Sequence, residues 1–98
     1  MANVSTGNPW ILDTAAEVLA SGTKAQIIKM VFYAGTAGDD LAVSHAGGGS
    51  TIWKVRAAAA ATNYEDYAGV VFDLTAPFPV DGFVVDVIDG GELWVWIR

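Results

Sequence analysis

His45 is the chain's single histidine, and it stands next to the glycine run Gly47-Gly48-Gly49. An imidazole in catalysis needs a nucleophile or a carboxylate in geometry with it. A structural zinc site needs several nitrogen or sulfur ligands, and this chain has no cysteine. His45 therefore reads as a solvated loop-tip residue. The glycine run lacks the Lys-Ser/Thr pair that completes a phosphate-binding loop. Asp39, Asp40, Asp81, Asp86 and Asp89 have the right chemistry for calcium, which gathers about six to eight oxygens. Their spacing is not that of an EF-hand loop, and Asp81-Gly82 and Asp89-Gly90 match ordinary turn chemistry. No nucleophile elbow and no Ser–His–Asp order is present. The pattern points away from an enzyme, and neither a cofactor nor a metal site is expected.

The aromatic residues carry more information. Trp10, Trp53, Trp94, Trp96, Tyr33, Tyr64 and Tyr67 fall within only 98 residues. Aromatic rings anchor protein interfaces, fill cores and stack on sugars. Trp53 with Val55 fits a core strand. The closing run Glu92-Leu93-Trp94-Val95-Trp96-Ile97-Arg98 alternates, so Leu93, Val95 and Ile97 share one face and Trp94 and Trp96 the other. Both faces are largely apolar, which suggests that both meet protein. Interface burial is the first expectation for Trp94 and Trp96, core burial the second and a sugar platform the third. Trp10, Arg98, Asn8 and Pro9 complete the set of interface candidates.

The elements that must position these groups read as strands separated by Gly, Asp and Pro turns. Residues 1–9 form a polar arm, expected to strap onto a partner, and residues 10–98 a single β domain. Strand candidates cover 10–13, 15–20, 24–34, 41–44, 51–57, 68–74, 83–88 and 92–98. Ser21-Gly22 and Pro77-Phe78-Pro79 are the expected breaks, and the glycines at 47–49 the tip of a hairpin. Asp89-Gly90 is the strongest hairpin signal in the chain. The alanine run 57–61 reads as a strand end entering a small-residue loop. The expected fold is all-β, a small antiparallel sandwich or barrel of about seven to eight strands.

Composition bounds the function. Hydrophobic residues make up 53% of the chain and charged residues 16%, which favours an assembly component over a solitary monomer. The net charge is −6, and the five cations Lys24, Lys29, Lys54, Arg56 and Arg98 are scattered. Binding to nucleic acid or to an anionic membrane surface is therefore not expected. No secretory signal is read at the N-terminus, and the apolar stretches are too short to span a bilayer as helices.

The stretches Asn8-Pro9-Trp10, Thr36-Ala37-Gly38-Asp39-Asp40-Leu41-Ala42-Val43, Ser50-Thr51-Ile52-Trp53, Val80-Asp81-Gly82-Phe83-Val84-Val85-Asp86 and Asp89-Gly90-Gly91-Glu92-Leu93-Trp94-Val95-Trp96 run in this order. Together they resemble a group of small virion proteins of tailed bacteriophages. The resemblance spans most of the chain, rests on turn and strand signatures, and does not extend to 57–61 or to Tyr64-Glu65-Asp66-Tyr67. It implies a structural protein of the virion, a capsid cement or decoration protein made in the host cytoplasm and carried on the capsid surface. Its implied partner is the major capsid protein, and its implied state a homo-oligomer, a trimer at local threefold positions. The alternatives are a carbohydrate- or receptor-binding β module of a fibre or spike, and a tail or neck component.

Overall fold

The computed structural model describes residues 3, 7–65 and 69–98, the side chains of 73–76 excepted. Among these every regular element is a strand: β1 (Trp10–Leu12), β2 (Glu17–Tyr33), β3 (Asp40–Ser44), β4 (Thr51–Arg56), β5 (Val70–Ile88) and β6 (Glu92–Ile97). They form one antiparallel sheet in the order β1-β6-β2-β5-β3-β4. The all-β expectation holds, and six strands lie among the described residues.

Two of these strands are unusually long. β2 runs for 17 residues and β5 for 19, against a usual length of about five to six. Ser21-Gly22 does not end a strand. Gly22 takes φ 92°, a conformation open to glycine, and the β2–β5 register shifts between Leu19 and Lys24. The chain bends there without reversing. Pro77-Phe78-Pro79 likewise stays within β5, where Phe78 pairs with Ile27 and Pro79 with Gln26. Two expected breaks are bends, and four expected strands merge into two.

Each bent strand serves two layers. The C-terminal part of β2 pairs with β6 and with the start of β5, and β6 carries β1 on its far side. The N-terminal part of β2 pairs with the later part of β5, which continues to β3 and β4. The layers face each other, because aromatic rings cross between them. Trp10 of β1 meets Phe83 edge-on at 5.8 Å, and Trp53 of β4 meets Phe72 at 5.3 Å. Between them lies a core that includes Leu12, Ile27, Met30, Phe32, Leu41, Val43, Phe83, Val85, Leu93 and Val95, all without solvent exposure. Burying one such side chain contributes about 1.5–3 kcal/mol, so this interface between layers holds the fold.

The β3–β4 hairpin is as expected, with Leu41 opposite Val55 and Val43 opposite Trp53. Asp89-Gly90 is not a hairpin. β5 pairs with β2 and β3, while β6 pairs with β1 and β2, so this turn carries the chain from one layer to the other. Gly91 is required there: its φ is 82°, and a Cβ would collide with the carbonyl oxygen of Tyr33. The alanine run follows β4 as a crossing segment without helix. Ala57 is buried, donating to Asp39 O and accepting from Gly38 N, and Ala61 N donates to Ala34 O. Expected strand residue Ala68 lies outside the described residues, and β5 begins at Val70.

Candidate functional site

Strand alternation sends Leu93 and Val95 of β6 into the core and Trp94 and Trp96 outward, as the sequence implies. The neighbouring strand adds its own outward row. Lys29, Val31 and Tyr33 of β2 stand directly opposite Trp96, Trp94 and Glu92, and Val71 of β5 stands opposite Val31. The segment after β4 then folds over part of this face. It brings Tyr64 against Trp94, stacked at 5.2 Å and 14°, while Tyr33 meets both rings edge-on at 5.2 and 5.4 Å. Trp96 adjoins Trp94 at 6.0 Å, and the Lys29 ammonium lies 5.2 Å from the centre of a Trp96 ring, within cation–π range.

The polar atoms of the cluster are largely committed within the chain. Trp94 Nε1 donates to Glu92 Oε1 at 3.0 Å, and Tyr33 Oη donates to the Tyr64 carbonyl at 3.1 Å. Val31 and Tyr33 are buried by this cover. Trp94 and Trp96 are half-buried, and Tyr64, Val71 and Ile28 stay 56%, 41% and 38% exposed. A half-open pocket of about 180 Å³ lies beside the Tyr33–Tyr64 contact, lined by Tyr33, Thr62, Asn63 and Tyr64 among others. The result is an aromatic surface with apolar flanks.

The remaining interface candidates fall elsewhere. Trp10 is a core residue: it is 3% exposed against Phe83, and its ring is not available to a partner. Asn8 is exposed but already employed. Its amide accepts from Ile97 N at 3.0 Å and donates to Ile97 O at 2.8 Å, completing the β6 ladder where β1 stops short. A primary amide can do this because it carries the donor and acceptor of a peptide group. Pro9 follows through a cis peptide bond and is half-buried. Arg98 is exposed, and its backbone N–H donates to Gln26 O. The polar arm is therefore tied to the body at Asn8, and again at Asn3, whose side chain bonds Asp13 N, Thr14 N and Thr14 O. Tyr67 lies outside the described residues.

The groups with chemical potential are bound up in turns. Asp39 accepts from Gly35 N and Thr36 N, and Asp89 accepts from Asp40 N. Ser44 Oγ donates to Asp86 at 2.6 Å. Asp81 accepts from Gly22 N at 2.7 Å and pairs with Lys24 at 3.3 Å; the Gly22 hydrogen bond, and then Lys24, hold its carboxyl below the usual range. Asp40 receives Arg56 through two hydrogen bonds of 2.7 and 3.1 Å, which lower the Asp40 pKa and raise that of Arg56. His45 is more constrained than a loop tip requires. It is half-buried against Phe78, and its Nδ1 accepts from Asp81 N at 3.2 Å. No group of three or more His, Cys, Asp or Glu suited to a metal occurs among the described residues.

Sequence reasoning found Trp94 and Trp96 but missed what surrounds them. Lys29, Val31 and Val71 join the face only through strand register, which pairs residues far apart in the chain. Tyr64 belongs to the aromatic inventory, yet nothing local to it signals a fold-back onto Trp94. No family model, characterised protein or solved structure matches the chain.

Proposed function

We propose that this chain is a non-enzymatic structural protein of a bacteriophage virion, a capsid decoration or cement protein. The observation that carries the reading is the outward aromatic face of β6 and β2. Half-buried Trp94 and Trp96 sit beside exposed Tyr64 and Val71 in a chain with few charges. Aromatic anchors with apolar flanks are what interface hot spots are made of. The sequence resemblance described above supplies the kind of assembly. Each copy bridges joints between major capsid subunits and stabilises the shell by linkage, since a ligand of the assembled state shifts the equilibrium toward it. The copies act as a homotrimer at local threefold positions.

Co-sedimentation with expanded, undecorated capsids of the parent phage tests this reading. Saturable binding near one copy per major capsid subunit supports it. Binding of only a few copies per particle moves the protein to the tail or neck. A second reading, a glycan- or receptor-binding module, is favoured by the Tyr64–Trp94 stack and the small cavity beside it. Glycan-array binding that is lost in Tyr64→Ala, with no capsid binding, would put that reading first.

A further inference from the structure

The segment that follows β4 joins the outer face without pairing to it as a strand. Between Arg56 and Val70 no regular element occurs among the described residues, and Ala58, Ala59, Ala60, Thr62, Asn63 and Tyr64 are exposed. Ala57 anchors one end in the core. Beyond it, Ala61 N donates to Ala34 O and Tyr33 Oη donates to the Tyr64 carbonyl. The Tyr64 ring stacks on Trp94 and meets the Tyr33 ring edge-on. The half-open pocket beside the Tyr33–Tyr64 contact shows that the segment is not packed down along its whole length.

The sheet beneath is built independently of this segment. Val31 pairs with Trp94 and Tyr33 with Glu92 in the β2–β6 ladder. The core residues Met30, Phe32, Leu93 and Val95 lie on the other side of those strands. Lifting the segment would break no strand pairing among the described residues. It would bare Val31, Tyr33 and the stacked face of Trp94 beside the already exposed Val71. Local openings of this kind populate minor states at about 0.1–10%.

Tyr64 also shows what the face accepts. Its ring lies nearly parallel to Trp94, at 14°, and its carbonyl receives the Tyr33 hydroxyl. An aromatic residue of another protein offers the same ring and the same carbonyl. We propose that the Tyr64 segment is a displaceable cover, and that an aromatic residue of a partner protein takes the place of Tyr64 on Trp94. The cover keeps apolar surface hidden before docking and reduces the fraction of molecules competent to bind. This inference rests on the reading of the outer face as a protein interface.

N-acetyl-L-tyrosinamide carries both the ring and the carbonyl, and N-acetyl-L-alaninamide is the control. An NMR titration of Tyr64→Ala should show saturable shifts at Trp94 Nε1–H and the Tyr33 amide, with the rest of the spectrum unchanged. Wild type should show the same shifts at least tenfold more weakly, and the control none. Hydrogen exchange of wild type gives an independent readout. Ala61 N should exchange at least tenfold faster than the amides of Leu93 and Val95. Capsid affinity should rise at least tenfold in Tyr64→Ala. No saturable shift in the variant, equal tyrosinamide affinity in the two proteins, or Ala61 exchange as slow as the core would each overturn the cover. Failure of both proteins to bind capsids would overturn the capsid reading alone, since the tyrosinamide and exchange results decide the cover without it.

Discussion

The layer formed by β6, β2 and the start of β5 has two faces of similar composition and different fates. Its inner face presents Leu93, Val95, Met30 and Phe32, which meet the opposite layer and lose all exposure. Its outer face presents Trp94, Trp96, Val31 and Val71, met among the described residues by the segment that brings in Tyr64. That segment covers Val31 and Tyr33 completely, leaves the two tryptophans half-covered, and leaves Val71 open. Hydrophobicity alone therefore does not say which face is core. What decides is whether the chain has a second layer left to place there, and a molecule of this size has one core to build.

Substitutions on the two faces should separate stability from binding. The largest effect is expected at Trp10, whose ring fills the space between layers. Trp10→Ala should cost about 3–5 kcal/mol, enough to leave a domain of this size partly unfolded, as thermal unfolding would reveal. If Trp10→Ala folds normally and loses only binding, Trp10 belongs with the outer set after all. Gly91→Ala comes next. Its Cβ meets the Tyr33 carbonyl at a positive φ, so a loss of roughly 1–3 kcal/mol or more is expected, together with altered Trp94 fluorescence.

Asn8→Ala removes two hydrogen bonds from Ile97, worth about 0.5–1.5 kcal/mol each. Hydrogen exchange at Ile97 N should accelerate, while Leu93 and Val95 remain protected. Uniform acceleration along β6 would mean that Asn8 supports the whole strand and not just its end. Tyr64→Ala should cost about 0.5–1.5 kcal/mol, the worth of an aromatic contact, and shift the Trp94 emission toward that of a more solvated indole.

The smallest effect is expected from pH. Asp40 and Asp81 both have carboxyl pKa values lowered by folding. The stability they contribute is present above the ordinary carboxylate range and is lost as pH falls through their folded values, below about 4. Both lie in the solvent-exposed ion pairs of the β3–β4–β5 layer and the β2 bend, so the loss should be slight. Thermal scans of wild type, Asp40→Asn and Asp81→Asn on either side of that pH check it. The substituted chains should show a shallower acid-side decline than wild type.

Strand positions were legible because apolar alternation is a local property, and every expected strand overlaps an observed one. The bends were not legible as bends. Gly22 at positive φ serves a bent strand as readily as a reversal, so Ser21-Gly22 reads the same either way. Asp89-Gly90 failed for a related reason: turn chemistry fixes the corner but not the partner of the strand that follows it. Here β6 finds β2 instead of β5, because the layer led by β5 is already occupied by β3. Trp94 and Trp96 were correctly placed outward by period alone. Trp10 was misjudged because three residues of strand cannot reveal which of their faces meets the second layer.

The most direct measurement is the capsid-binding isotherm of Trp96→Ala beside wild type, with thermal unfolding recorded on the same samples. Trp96 is half-buried, meets Trp94 and Lys29 on this face, and is not among the described residues of the core cluster. The outer-face account expects an unfolding transition close to wild type and an affinity at least tenfold weaker. Unchanged binding by a normally folded Trp96→Ala protein would contradict it, and so would a collapse of stability that makes Trp96 part of the core.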